Sequence, residues 1–221
     1  MPVIFDFDGV IADTEKLHFE ASRLVLAQRG VSLDQARYYA KYLGYSDADM
    51  AEAVARDQGR FAPDADLSDF VREFIHEKGV VFEGLIASGA VLFPGAPACI
   101  ARLAAEFPLA IASGAFREEI EHILGGAKLQ QHFRAIVGAA DAPRGKPHPA
   151  PYLEAARRLG VDPSACVAIE DSMWGLDSAR TAGMRTIAIT NSYPAAELTA
   201  DRIVASLDDV TVELIRAVAN A

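Results

Sequence analysis

The sequence predicts an α/β fold: a doubly wound, mainly parallel sheet interrupted near its start by an all-helical insert. Three observations carry this. From about Gly89 onward, short apolar runs alternate with helical stretches, which means βαβ units and a parallel sheet covered on both faces. Between about Thr14 and Val80 no strand-like run occurs, and the periodicity is helical. Ahead of that block, Val3, Ile4 and Phe5 form an isolated apolar run that reads as a strand buried on both faces.

In order, the first strand runs into Asp6, Phe7, Asp8 and Gly9. Two Asp at i and i+2 on extended chain point the same way, and burying like charges is costly without compensation. Gly9 lets the backbone turn sharply. Taken alone, the stretch admits two readings: a divalent-cation site at a strand end, or a strand running into a polar turn. Leu17, Ala21, Leu24 and Val25 then form one face of a helix that stops before Gly30. A second helix is predicted over Leu33 to Tyr42. A third has Ser46 and Asp49 as its capping-box start and ends near Gly59. A fourth carries Phe70, Val71, Phe74 and Ile75 and ends near Gly79. Next come helix Ala96 to Phe107, strand Leu109 to Ala112 with Ser113-Gly114 after it, and helix Arg117 to Leu124. Strand Ala135 to Ala139 and helix Pro149 to Leu159 precede strand Cys166 to Ile169, which ends in Glu170-Asp171. Helix Trp174 to Ala182, strand Thr186 to Ile189, a short strand near Ile203 and a terminal helix complete the chain. Ligands of such sheets bind beyond the carboxyl ends of the strands. Asp6/Asp8, Ser113 and Glu170/Asp171 are therefore expected to meet, although Asp6 and Asp171 lie about 165 positions apart. That convergence favours the metal reading.

Composition excludes several classes. A net charge of −10 argues against nucleic acid or an anionic membrane as the main partner, since both need basic surface. An anionic substrate needs local positive charge to overcome that average field. No apolar stretch approaches the roughly 20 residues of a membrane span, and carboxylates arrive too early for a signal peptide. The 2 cysteines, Cys99 and Cys166, sit in apolar surroundings and read as buried small hydrophobes in a reducing cytosol. A cytoplasmic monomer or weak homodimer is expected.

Four segments, DFDGVIADTE, IASG, GKPHPAPY and IEDSMWGLDSARTAGM, occur in that order. Together they resemble the haloacid dehalogenase superfamily, and the helical insert resembles the small cap of its phosphatase and beta-phosphoglucomutase branch. The resemblance spans essentially the whole chain. It implies a Rossmann-like core over residues 1–14 and 86–221 and a helical cap over 15–85.

The resemblance also implies roles. Asp6 is the nucleophile that forms an aspartyl-phosphate. Magnesium is the cofactor, held by the Asp6 carboxylate, the Asp8 carbonyl and the Asp171 carboxylate, with Glu170 a direct or water-mediated ligand. Asp8 is the general acid and then the base. Ser113 and the Gly114 amide bind phosphate oxygens, and Lys146 neutralises the transferred group. Plainer readings stand beside these: Ser113 as a helix cap, Lys146 as a solvated loop lysine, Glu170 and Asp171 as a helix start. Trp174 reads as packing, Asp141 and His148 as structural, and Arg117 as a residue able to touch substrate.

The cap bears on the substrate. His18 matches a mutase-branch histidine that couples closure to proton transfer. Lys78, read as ending the fourth helix, matches a cap lysine that contacts substrate. Gly44 to Asp47 aligns with a loop where the mutases carry an arginine that grips a second phosphate, and Asp47 has the opposite charge. The expectation is a magnesium-dependent phosphatase acting on a small phosphorylated metabolite, sugar phosphates included. A beta-phosphoglucomutase-like transferase is the alternative, and a phospho-accepting signalling module a distant one.

Overall fold

β1 (Val3–Phe5) is fully buried because it has a parallel neighbour on each side, β2 (Leu109–Ala112) and β4 (Val167–Glu170). The computed structural model describes residues 1–42, 45, 47–62, 64–86 and 92–221. Among these, β3 (Phe133–Val137), β5 (Arg185–Ile189) and β6 (Arg202–Val204) complete one parallel sheet of order β3-β2-β1-β4-β5-β6. The order reverses between β1 and β4. That switch point leaves a crevice beyond the carboxyl ends of both strands, where open α/β sheets bind ligands.

The strands carry Ala where helices lie close. Ala110, Ala112 and Ala168 share a buried cluster with Tyr152, Ala155 and Ala156 of α7 (Ala150–Leu159), which is closed by Gly160 in the left-handed conformation. The strand and helix boundaries in this region fall within a few residues of those read from the sequence.

The chain divides into two compact units, Met1–Asp13 with Val91–Ala221, and Thr14–Ala90. The sequence-based junctions are 14/15 and 85/86; Gly89, where alternation is expected to begin, lies outside the described residues. The second unit is helical: α1 (Glu15–Gln28), α2 (Gln35–Arg37) widening into a π-helical turn Tyr38–Tyr42, α3 (Asp47–Asp57) and α4 (Ser68–Ile86). Phe19, Leu26, Tyr38, Met50, Val54 and Phe74 form its core.

Three expectations need correction here. The buried face of α1 is Phe19, Ala21, Ser22, Val25 and Leu26, while Leu17 and Leu24 are only half-buried. Apolar residues occur on both candidate faces, and Phe19 packing on Tyr38 decides between them. α4 does not stop at Gly79 but continues to Ile86, because Phe74, Lys78, Phe82 and Ile86 bury a stripe at four-residue spacing. Lys78 is therefore a buried mid-helix residue, not a helix-end one. Gly44 and Ser46, invoked for the cap loop and the third helix's cap, lie outside the described residues. No helix among the described residues is long and apolar enough to cross a membrane.

Candidate active site

Beyond β1 the chain doubles back at once. The Phe7 carbonyl accepts from the amides of Ile11 at 2.8 Å and Ala12 at 3.0 Å, and Gly9 takes φ +78°. A Cβ on Gly9 would lie 1.8 Å from Oδ2 of Asp171, so this position needs glycine for space as well as backbone. The Asp6 amide donates to the Ile169 carbonyl at 2.9 Å, which locks the end of β1 to β4. Asp6, Glu170 and Asp171 are all buried, with carboxylate oxygens within 4.8 Å of one another.

Lys146 reaches this cluster from the loop before α7. Its Nζ donates to Asp6 Oδ1 at 2.6 Å and to Glu170 Oε1 at 2.5 Å, and lies 5.1 Å from the centre of the Tyr152 ring. Three buried carboxylates against one ammonium leave negative charge in excess. Burial, and then the charge on Glu170, push Asp6 up to about 7 despite Lys146. Burial with Glu170 and Asp6 likewise holds Asp171 well above the usual carboxylate range. Burial alone would lower Lys146, but the two carboxylates outweigh it and raise the lysine. A set of hard oxygen donors carrying surplus negative charge suits a divalent cation. The cluster can hold a metal ion.

Glu170 is the most heavily bonded of the three. Oε1 accepts from Lys146 and from the Tyr152 hydroxyl at 3.0 Å, and Oε2 from the Asp171 amide, the Ser172 amide and the Ser172 hydroxyl. Ser172 also caps α8 (Met173–Thr181) by accepting from the Gly175 amide. A Cβ on Gly175 would fall 1.6 Å from Glu170 Oε1.

Ser113 follows β2 and lies beside Asp8: its hydroxyl donates to Asp8 Oδ2 at 3.3 Å and accepts from the Ala115 amide at 3.0 Å. It is not the cap of α6 (Arg117–Gly126), whose N-cap is Phe116. Gly114 next to it is exposed, with open space where a Cβ would be.

The family model described as haloacid dehalogenase-like hydrolase matches residues 3–189, the span that holds all of these groups. The chain belongs to the haloacid dehalogenase-like hydrolases. Among its relatives in this family, it is 30% identical over 216 residues to beta-phosphoglucomutase of Bacillus subtilis (strain 168), covering 96% of this chain and 92% of that one. It is 30% identical over 191 residues to hexitol phosphatase B of Escherichia coli (strain K12), covering 86% and 83%. It is 31% identical over 220 residues to the bifunctional riboflavin kinase/FMN phosphatase of Arabidopsis thaliana, of whose length it spans only 54% against 96% of its own. Among solved structures, CbbY from Rhodobacter sphaeroides in complex with phosphate superposes with a TM-score of 0.83 at 28% identity, covering 97% of this chain and 98% of that one.

Not every expected site residue of this family member reaches the acidic cluster. Arg117 pairs instead with Asp141 at 2.8 Å, which also accepts from Arg158 and the Gly138 amide. Burial opposes it, yet these donors hold Asp141 down at about 2. His18 and Lys78 belong to the helical unit and meet each other there. Lys78, 3% exposed at its side chain, bonds Asp47 and donates to His18 Nδ1 at 2.9 Å. An ammonium can only donate, so Nδ1 accepts and the ring proton resides on Nε2. His18 stacks on Phe82, and burial together with the Lys78 charge keeps its pKa well below that of free histidine.

Trp174, read as packing rather than chemistry, is 51% exposed at the start of α8. The reading from sequence passed over Tyr152, Ser172 and Gly175 as supports of Glu170. Each lies inside a motif segment that also carries a charged residue, and that was the available signal. It also passed over Asn191 and Ser192, which lie outside every motif.

Proposed function

We propose that this chain is a magnesium-dependent phosphatase hydrolysing a small phosphorylated metabolite, sugar phosphates included, through an aspartyl-phosphate on Asp6. The observation that carries the reading is Lys146 Nζ set between Asp6 and Glu170 within a buried group of three carboxylates, with the Asp8–Ser113 pair beside the same strand ends. An oxygen of Asp6 attacks phosphorus, the bond from phosphorus to the substrate oxygen breaks, and Asp8 supplies the proton that oxygen needs. Asp8, now a base, takes a proton from water, which displaces Asp6 and releases inorganic phosphate. Ser113 and the exposed Gly114 amide bind phosphoryl oxygens, and Lys146 balances charge as it builds on them. Asp6, Asp171 and the Asp8 carbonyl would hold Mg²⁺, which offsets the repulsion between carboxylate and phosphate dianion when bound. With both of its oxygens already bonded, Glu170 serves mainly to hold Lys146 and would be a direct or water-mediated ligand of the ion.

The helical unit is proposed as the cap that selects the substrate through His18 and Lys78. Arg117, engaged by Asp141, braces the Ser113 loop. Lys78 is balanced by Asp47, which favours a substrate with one phosphate and an uncharged remainder over the bisphosphate intermediate of a mutase. Relatives named as phosphatases and as a mutase both stand at about 30% identity, so product analysis decides. The buried free thiols Cys99 and Cys166 fit a reducing cytoplasm, and a monomer or weak homodimer suffices.

The test is a panel of phosphorylated metabolites with Mg²⁺, following phosphate release and isomer formation together. Phosphate release at least ~10³-fold lower in Asp6→Asn, with the fold intact, is expected. Undiminished release would remove Asp6 from its role. Isomer formation would favour the mutase, and a lasting phospho-protein without turnover the signalling module.

A further inference from the structure

The turn after β5 reaches the acidic cluster twice. Asn191 Nδ2 donates to the Gly9 carbonyl at 2.7 Å, and Ser192 Oγ donates to Asp171 Oδ2. These are long-range ties, spanning 182 and 21 positions of sequence. Asp171 Oδ2 is also the atom that a side chain on Gly9 would strike. Oδ2 is thus enclosed between the Gly9 turn and the Ser192 hydroxyl, while Oδ1 lies farther from that turn and, among the described residues, accepts no such side-chain bond.

We propose that Ser192, assisted by Asn191, is a positioning residue for the divalent cation: it fixes the rotation of the Asp171 carboxylate so that Oδ1 is presented to the ion. The inference rests on the metal reading above. The terminal torsion of an aspartate is broad and two-fold, so an untethered carboxylate must give up that freedom when a cation arrives. A hydroxyl already bonded to one oxygen removes it beforehand. Asp6 directly follows β1, and the Gly9 turn comes three residues after it. Asn191 holding the Gly9 carbonyl therefore fixes the two direct carboxylate ligands relative to each other. Outer partners of ligating carboxylates commonly contribute about 10- to 100-fold to metal affinity. Both side chains are exposed, so the fold draws little from burying them.

The experiment uses the full chain freed of metal by chelation, with Mn²⁺ as the probe and free Mn²⁺ followed by electron paramagnetic resonance. Ser192→Ala is expected to bind Mn²⁺ about 10- to 100-fold more weakly, with an unchanged thermal midpoint in the metal-free state. Ser192→Thr, which keeps the hydroxyl, restores the affinity, and Asn191→Ala shows a smaller loss. Asp171→Asn serves as the control for the metal reading and is expected to abolish binding. Wild-type affinity in Ser192→Ala, with binding abolished in Asp171→Asn, overturns the positioning role and leaves the metal site standing. Wild-type affinity in Asp171→Asn overturns the site itself and the inference with it. A loss in Ser192→Ala matched by a lower midpoint without metal makes the contact a structural one and also overturns the proposal.

Discussion

Lys78 is a buried lysine and Lys146, with a side chain 13% exposed, is nearly so, yet the charge around them is arranged in opposite ways. Lys146 is shared by Asp6 and Glu170, with Asp171 alongside, so full ionisation there leaves surplus negative charge, and the raised pKa values of Asp6 and Asp171 are its mark. Lys78 has one carboxylate, Asp47, together with a histidine held neutral and the face of Phe82. Among the described partners of Lys78, one ammonium meets one carboxylate. A buried excess of one sign is unstable unless something else brings the opposite sign, so the first cluster suits a cation. The second is built to hold a shape without attracting charge.

The strongest way to break this contrast is to remove each ammonium in turn. Lys146→Met strands buried carboxylates, and losing one partner of a buried ion pair costs about 3–5 kcal/mol. Phosphate release in the folded fraction is expected to fall about 10²–10³-fold as well. Lys78→Met leaves Asp47, whose side chain is 43% exposed and can turn to water, so about 1 kcal/mol or less is expected. Urea unfolding of the two variants without metal measures the difference, and equal losses would end the comparison.

How much of this was legible in the sequence differs between the two clusters for the same physical reason. Asp6, Ser113, Lys146, Glu170 and Asp171 sit at strand ends and in one loop, where short apolar runs followed by charge announce the turn to the binding edge. A parallel sheet then leaves little choice about where those ends go. The Lys78 cluster depends on which faces of α1 and α4 meet, and Gly79 in the middle of α4 reads locally as a stop. The stripe Phe74, Lys78, Phe82, Ile86 overrides it. The π-helical turn Tyr38–Tyr42 was equally hidden. It lets both tyrosine rings point inward while their hydroxyls reach Glu15 and Asp57, each at 2.6 Å, and those partners are distant in sequence. Nothing local announces the pairing of Arg117 with Asp141, and the contact of Ser192 with Asp171 is equally silent in the sequence because it is set by the path of β5.

A finer test alters the balance around Lys78 without removing it. Asp47→Asn leaves the ammonium with His18 and gives the helical cluster a net positive charge. If that unit selects substrate, a substrate with a second anionic group should gain relative to a single monophosphate. A half-screened charge worth about 1 kcal/mol corresponds to roughly a fivefold change in the ratio of kcat/KM values. Asp47→Arg should go further in the same direction, and with beta-glucose 1-phosphate and a bisphosphate primer it should raise the isomer fraction. Ratios unchanged in both variants would detach Asp47 from specificity.

The smallest expected effect probes whether the histidine beside Lys78 is neutral, as the contrast requires. The folded-state pKa of His18 lies well below its unfolded value near 6.5, because of burial first and the Lys78 charge second. Well above pH 6.5 the ring is neutral in both states and contributes no pH dependence. As pH falls below 6.5 the unfolded chain takes up a proton that the folded chain refuses, so stability drops until the folded pKa is reached. The loss between pH 6.5 and 5.5 comes to about 1 kcal/mol. His18→Gln, which cannot titrate, should lack it, and denaturant titrations of both proteins at the two pH values give the difference directly. Identical pH dependence would mean that His18 carries its proton when folded. Two cations would then face the Asp47 carboxylate, and the balance that separates the helical cluster from the acidic one would be gone.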